Sequence, residues 1–200
     1  MKKYLIPAIL LVLVAAGILV RYQIVSPARA AARDLEAING ITVGKMTEAE
    51  LLGRSAFQKM DRRCISADCG YHTERMNTFL SSVGLAPHTF FGTLVSVRNG
   101  MVVEVVVFMS QEGLTPVSLA QKTSLPAECT SNPCVKQLIP PNKKPAMIRV
   151  MFNNESDFTN RMTEALQTSC LSRLRGCGSY EELMPLTRKL NLDALPRSSK

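Results

Sequence analysis

The sequence predicts an α+β fold: a small antiparallel sheet packed against amphipathic helices, carried on an N-terminal transmembrane helix. Three observations predict it. An unbroken apolar run extends from Tyr4 to Val20, two strand-like segments flank Asn99-Gly100, and apolar residues recur at helical spacing before and after them.

The apolar run reads YLIPAILLVLVAAGILV, and at 1.5 Å per residue it reaches about 25 Å as a helix, close to the thickness of a bilayer's hydrocarbon core. Arg21 can snorkel to the headgroups, so Ile24 and Val25 extend the span, with Tyr4 and Tyr22 as interfacial anchors. Residues 1–25 are therefore assigned to a transmembrane signal anchor. The competing reading is a cleaved signal peptide, since Lys2 and Lys3 open the chain and Ala28-Arg29-Ala30 fits a cleavage site. The apolar core is longer than that of a signal peptide, and the site lies well beyond it across Arg21, which favours the uncleaved anchor.

Ser26-Pro27 reads as the N-cap and first residue of a helical stalk, 26–40, which ends at Asn39-Gly40 and lifts the domain off the membrane after a kink at Pro27. The domain itself is assigned to 41–192, with a loose tail at 193–200. Thr47-Glu48-Ala49-Glu50 is a capping box opening a short helix with Leu51 and Leu52 inward and Gly53 as its stop. Met76, Phe79, Leu80 and Val83 predict an amphipathic helix near 74–83, closed by Gly84 and Pro87.

The strongest local signal is a β-hairpin over 90–109, because Asn-Gly is the preferred two-residue type I′ turn. Pairing Arg98 with Met101 places Phe90, Leu94, Val103, Val105, Val107 and Met109 on one face, and Phe91, Val95, Val97, Val102, Val106 and Phe108 on the other. Both faces are apolar, so both need cover. In this register Glu104 faces Val95, and a salt bridge to Arg149 would accommodate its charge. The Pro-, Ser- and Thr-rich stretch 111–145 reads as a long loop, and the alternation of Ile148, Val150 and Phe152 predicts a third strand at 147–152. Phe158, Met162, Ala165, Leu166, Cys170 and Leu174 predict a helix over 156–174.

Six cysteines fall in three close pairs, Cys64 with Cys69, Cys129 with Cys134, and Cys170 with Cys177, which is the pattern of local disulfides. Chain entropy credits each such short loop with about 2 kcal/mol. Along an unbroken helix Cys170 and Cys177 would stand about 10 Å apart, too far to bond, so the helix must break, and Gly176 and Gly178 supply the reversal. Disulfides place the domain outside the cytoplasm. The positive-inside count opposes this, since Lys2 and Lys3 precede the span while Arg21, Arg29 and Arg33 follow it. The cysteines weigh more, and a single-pass protein with an extracytoplasmic C-terminal domain is expected.

The net charge of +8 points to nucleic acid until it is divided along the chain: positions 1–33 hold five basic residues and no acid, leaving nineteen basic against sixteen acidic. With no Trp and no basic stripe, no nucleic-acid partner is expected. Hydrolase, phosphate-loop, dinucleotide and zinc-protease motifs are absent, and no catalytic, cofactor or metal residue is assigned. The polar residues Asp68, His72 and Glu74 carry the alternative reading of a membrane-tethered enzyme, with Asp61 nearby. Cys64, Cys69 and His72 with Cys129 or Cys134 carry a second alternative, a cytoplasmic zinc module.

Val43-Gly44-Lys45-Met46-Thr47, continuing through Leu52-Gly53 to a hairpin, resembles small envelope proteins of the outer-membrane assembly type. The anchor and the cysteines depart from that pattern. The N-terminal helix makes the lipid bilayer a partner, and the anchor with the disulfide-held loops predicts a non-enzymatic binding or envelope-assembly module whose protein partner the sequence does not identify.

Overall fold

The computed structural model describes residues 2–138, 147–153 and 165–190. Its first element is α1 (Lys2–Ile38), one helix that runs through Ser26-Pro27 without an N-cap there. The apolar residues from Ile9 to Val20 project freely, with large side chains 40–71 % exposed, and the helix is long and apolar enough to cross a membrane, at a mean hydropathy of 2.1. Beyond them the character changes. Ala28, Ala31, Leu35 and Ile38 are buried at helical spacing, so the expected stalk is packed into the domain instead of lifting it away.

The sheet has seven strands: β1 (Asp61–Ile65), β2 (Asp68–Met76), β3 (Thr89–Arg98), β4 (Met101–Gln111), β5 (Val117–Lys122), β6 (Cys134–Leu138) and β7 (Met147–Asn153). Their spatial order is β1-β2-β3-β4-β5-β7-β6. All neighbours are antiparallel except β5 and β7, because β6 runs back along the outer edge before β7 slots in between. The α+β class holds, but the sheet is larger than a hairpin plus one strand and is mixed. Polar composition masked the extra strands: β1 and β2 frame the first cysteine pair, and β5 and β6 lie in the stretch read as a loop.

The hairpin turns at Asn99 (φ 50°) and Gly100 (φ 74°), both left-handed as a type I′ turn requires. Arg98 pairs with Met101, as expected, but the register then shifts. Val97 pairs with Val102 and Ser96 with Glu104, leaving Val103 as a bulge. One extra residue inverts every side chain beyond it. Phe91, Val95, Val97 and Val102 therefore share the covered face with Val105, Val107 and Met109, and Glu104 lies opposite Ser96, not Val95.

That covered face carries the main core, closed by the second half of α1, by α2 (Glu48–Leu52) and by the C-terminal segment. α2 has the complete capping box, with Thr47 Oγ1 accepting from Glu50 N and Thr47 N donating to Glu50 Oε2 at 2.7 Å; that backbone bond, then the one from the Thr47 hydroxyl to the same oxygen, holds the Glu50 carboxyl below its usual range. The helix expected near 74–83 is shorter: Glu74 to Met76 belong to β2, and α3 spans Thr78–Ser82. Buried Asn77 explains the switch, since its Oδ1 accepts from Thr89 N and its Nδ2 donates to Pro87 O, both at 2.8 Å, tying the α3 loop to β3. Of the helix expected over 156–174, positions up to 164 lie outside the described residues, as does the tail 193–200. Its remainder is a 3-10 turn, Thr168–Ser172, whose Cys170 and Leu171 are buried against α1 and β3. Two short helices follow, Tyr180–Leu183 and Leu186–Lys189.

The opposite face has a smaller core of Val106, Ala120, Cys134 and Met151, with Leu94, Leu125 and Cys129 packed on it. Phe90 and Phe108 stack beside it at 5.2 Å, and Gly92 leaves the room for the Phe108 ring. Among the described residues, cover here comes from the connection between β5 and β6, held down by Cys129 bonded to Cys134.

Candidate functional site

The cysteines are joined in three local disulfides, with Cα separations of 4.1 Å for Cys64–Cys69, 5.5 Å for Cys129–Cys134 and 5.3 Å for Cys170–Cys177. Cys64 and Cys69 are directly opposed across β1 and β2. Cys170 and Cys177 meet because the backbone reverses at Gly176 (φ 62°). Gln111 at the end of β4 secures that reversal, its Nε2 donating to Cys177 O and its Oε1 accepting from Cys177 N, each at 2.7 Å.

Strand geometry separates the residues of the zinc reading. Cys69 and His72 are three apart on β2, an odd spacing, so Cys69 joins the helix-covered core while His72 points to the other face. Cys134 lies at the far edge of the sheet. No group of three or more His, Cys, Asp or Glu among the described residues is arranged to hold a metal.

Asp68, His72 and Glu74 do share one face of β2, two or four residues apart. At about 3.3 Å per residue, Asp68 and His72 are about 13 Å apart along the strand, too far to pass a proton directly. Each has turned to another partner or to solvent. His72 Nε2 stands 3.7 Å from Asp61 Oδ2 on β1, Asp68 accepts from Arg98 Nε at 3.2 Å, and Glu74 is exposed. This is a solvated ladder of charges. Glu104 belongs to another such pair, with Lys122 of β5 at 2.8 Å, not with Arg149, whose Nε donates instead to Ser118 Oγ at 3.2 Å.

A tighter polar cluster, not expected from the sequence, sits where α2 meets the sheet. The buried Tyr71 hydroxyl donates to Glu48 Oε1, which also accepts from Arg62 Nη2 at 2.8 Å, and the Arg62 guanidinium lies 5.7 Å from the Tyr71 ring centre. Burial, then the bond to Glu48, pushes the Tyr71 phenol up to about 12. No sequence motif marks this group, because its members come from three separate elements.

No family model, curated protein or solved structure matches this chain. The geometry must therefore speak for itself, and its most distinctive functional feature is α1. A cavity of about 690 Å³ lies along it, lined among the described residues by Ile18, Arg21, Tyr22, Val25, Arg29 and Arg33 with neighbouring small side chains. Arg29 and Arg33 of that lining are one turn apart on one face of the helix, with Arg21 two turns below Arg29 and to one side, while Ala28, Ala31 and Leu35 enter the core. A single helix thus couples an apolar span, a basic collar and a docked domain.

Proposed function

We propose that this protein is a single-pass membrane-anchored domain held at the outer surface of its membrane, serving as a non-enzymatic binding or envelope-assembly module. The observation that carries this reading is the unbroken passage of α1 from its exposed apolar stretch into the domain core. A cleavage site at Ala28-Arg29-Ala30 would lie within a helix whose Ala28 and Ala31 are 8 % and 0 % exposed, which favours an uncleaved anchor. Three disulfides favour an oxidising compartment.

Protease added to intact cells bearing the protein tests the topology: the domain is cleaved from outside under this reading, and protection until lysis contradicts it. The triple substitution Asp68→Asn, His72→Ala, Glu74→Gln separates binding from catalysis. Full complementation of a deletion strain supports binding, and loss of complementation by a folded, correctly located variant supports the enzyme alternative.

A further inference from the structure

We propose that the basic face of α1, formed by Arg29 and Arg33 above Tyr22, with Arg21 flanking it, binds the phosphate headgroup of an anionic phospholipid whose acyl chains lie along Ile18 and Val25. This rests on the anchored reading of α1.

The placement follows from helix geometry. Ile18, Tyr22, Val25, Arg29 and Arg33 recur three or four residues apart, so they form a stripe that grades from apolar to basic along the helix. The residues along it line the cavity already described. Because Ala28, Ala31, Leu35 and Ile38 point into the core, the stripe faces away from it, and among the described residues no other element lines the cavity along it.

The next position on this stripe is an acid, the exposed Glu36 three residues beyond Arg33, but it forms no ion pair with Arg29 or Arg33 among the described residues. No acid occurs before Asp34, and Asp34 is already engaged by Arg75 on the sheet. No ion pair joins Arg21, Arg29 or Arg33 to an acid among the described residues, and Arg21, Arg29 and Arg33 are exposed. A guanidinium presents a planar fork of donors that matches phosphate oxygens, so phosphate is the anion this set fits.

The distances agree. Arg21 snorkels from within the span that closes at Val25, and Arg29 sits about 6 Å beyond Val25 at 1.5 Å per residue. Helical side chains lean toward the helix N-terminus, which here is the membrane side. The long arm of Arg29 thus brings its charge back toward a headgroup layer roughly 5–7 Å deep. Arg33, higher still, adds to the field within about a Debye length of that layer.

The test uses the full chain in phosphatidylcholine vesicles with and without phosphatidylglycerol. Flotation with the neutral vesicles reports the anchor; electron paramagnetic resonance of spin-labelled phosphatidylglycerol and phosphatidylcholine reports which lipid the protein holds. The expected result is preference for phosphatidylglycerol that falls about thirtyfold in the double variant Arg29→Gln, Arg33→Gln, at about 1 kcal/mol for each arginine near a charged surface and a factor of ten for each 1.4 kcal/mol. Lys2 and Lys3 flank the other end of the span, so the change on substitution carries the test, not total selectivity. Unchanged selectivity in a variant that floats and keeps its circular dichroism overturns the lipid site alone. Failure of the native chain to float with neutral vesicles overturns the anchored reading, and the site with it.

Discussion

Asp34 of α1 and Arg75 of β2 meet at two points: Arg75 Nη2 donates to Asp34 Oδ1 at 3.1 Å, and Arg75 Nε lies 2.8 Å from Oδ2 in charge contact. The Asp34 carboxylate is 13 % exposed and the guanidinium 35 %, so water screens the pair only in part. This is a polar clamp between the long N-terminal helix and the sheet. Asp34→Asn should destabilise the domain by about 2 kcal/mol, below the cost of breaking a fully buried pair. A double-mutant cycle with Arg75→Met, read by urea denaturation, should show the two losses to be non-additive.

Gln111 imitates a strand partner for Cys177, giving one donor and one acceptor to its backbone. Gln111→Leu keeps the bulk but orphans two buried main-chain groups. The expected cost is about 2–4 kcal/mol, measured as a shift in the denaturation midpoint with the disulfides intact.

Gly92 faces the Phe108 ring, and a Cβ added there would overlap Cζ and Cε1 and stand 3.0 Å from Cε2. Gly92→Ala should therefore destabilise by about 1–3 kcal/mol through overpacking. Phe108→Leu in the same chain should recover part of the loss, whereas a loss unaffected by Phe108→Leu would point to the backbone instead.

Tyr71 supplies a pH signature. Its phenol is raised from 10.0 to about 12, so the folded state holds this proton more tightly than the unfolded chain. The associated stability is fully present below pH 10 and is lost as pH climbs through about 12. Tyr71→Phe should flatten that alkaline decline, followed by thermal unfolding across the range, and should remove the latest step in the ultraviolet phenolate titration.

The sequence disclosed what short-range chemistry governs. The Asn99-Gly100 turn, the Thr47 to Glu50 capping box and the local cysteine pairs each depend on neighbours, and each can be read from spacing. It hid what long-range packing decides. Nothing in Val103 announces a bulge, since all its neighbours are equally apolar, yet that residue reverses which valines are buried. β1 and β6 are edge strands, so they carry Asp, Arg, Lys and Gln where a half-buried pattern would show apolar alternation. The stalk was misread for a similar reason: alanines at 28 and 31 look like a solvated helix until a surface of matching shape is placed against them. For the candidate site, Arg29 and Arg33 are visible in the sequence, but which way their face turns relative to the core follows only from the docked position of α1.

The intact mass of the chain recovered from its native membrane, taken with thiols alkylated before any reductant is added, is the most direct measurement of all. Retention of residues 1–30, with six cysteine hydrogens missing and no alkyl group attached, is the predicted result for an anchored protein with three disulfides. A chain that begins after Ala30, or one carrying six alkylated cysteines, would contradict it.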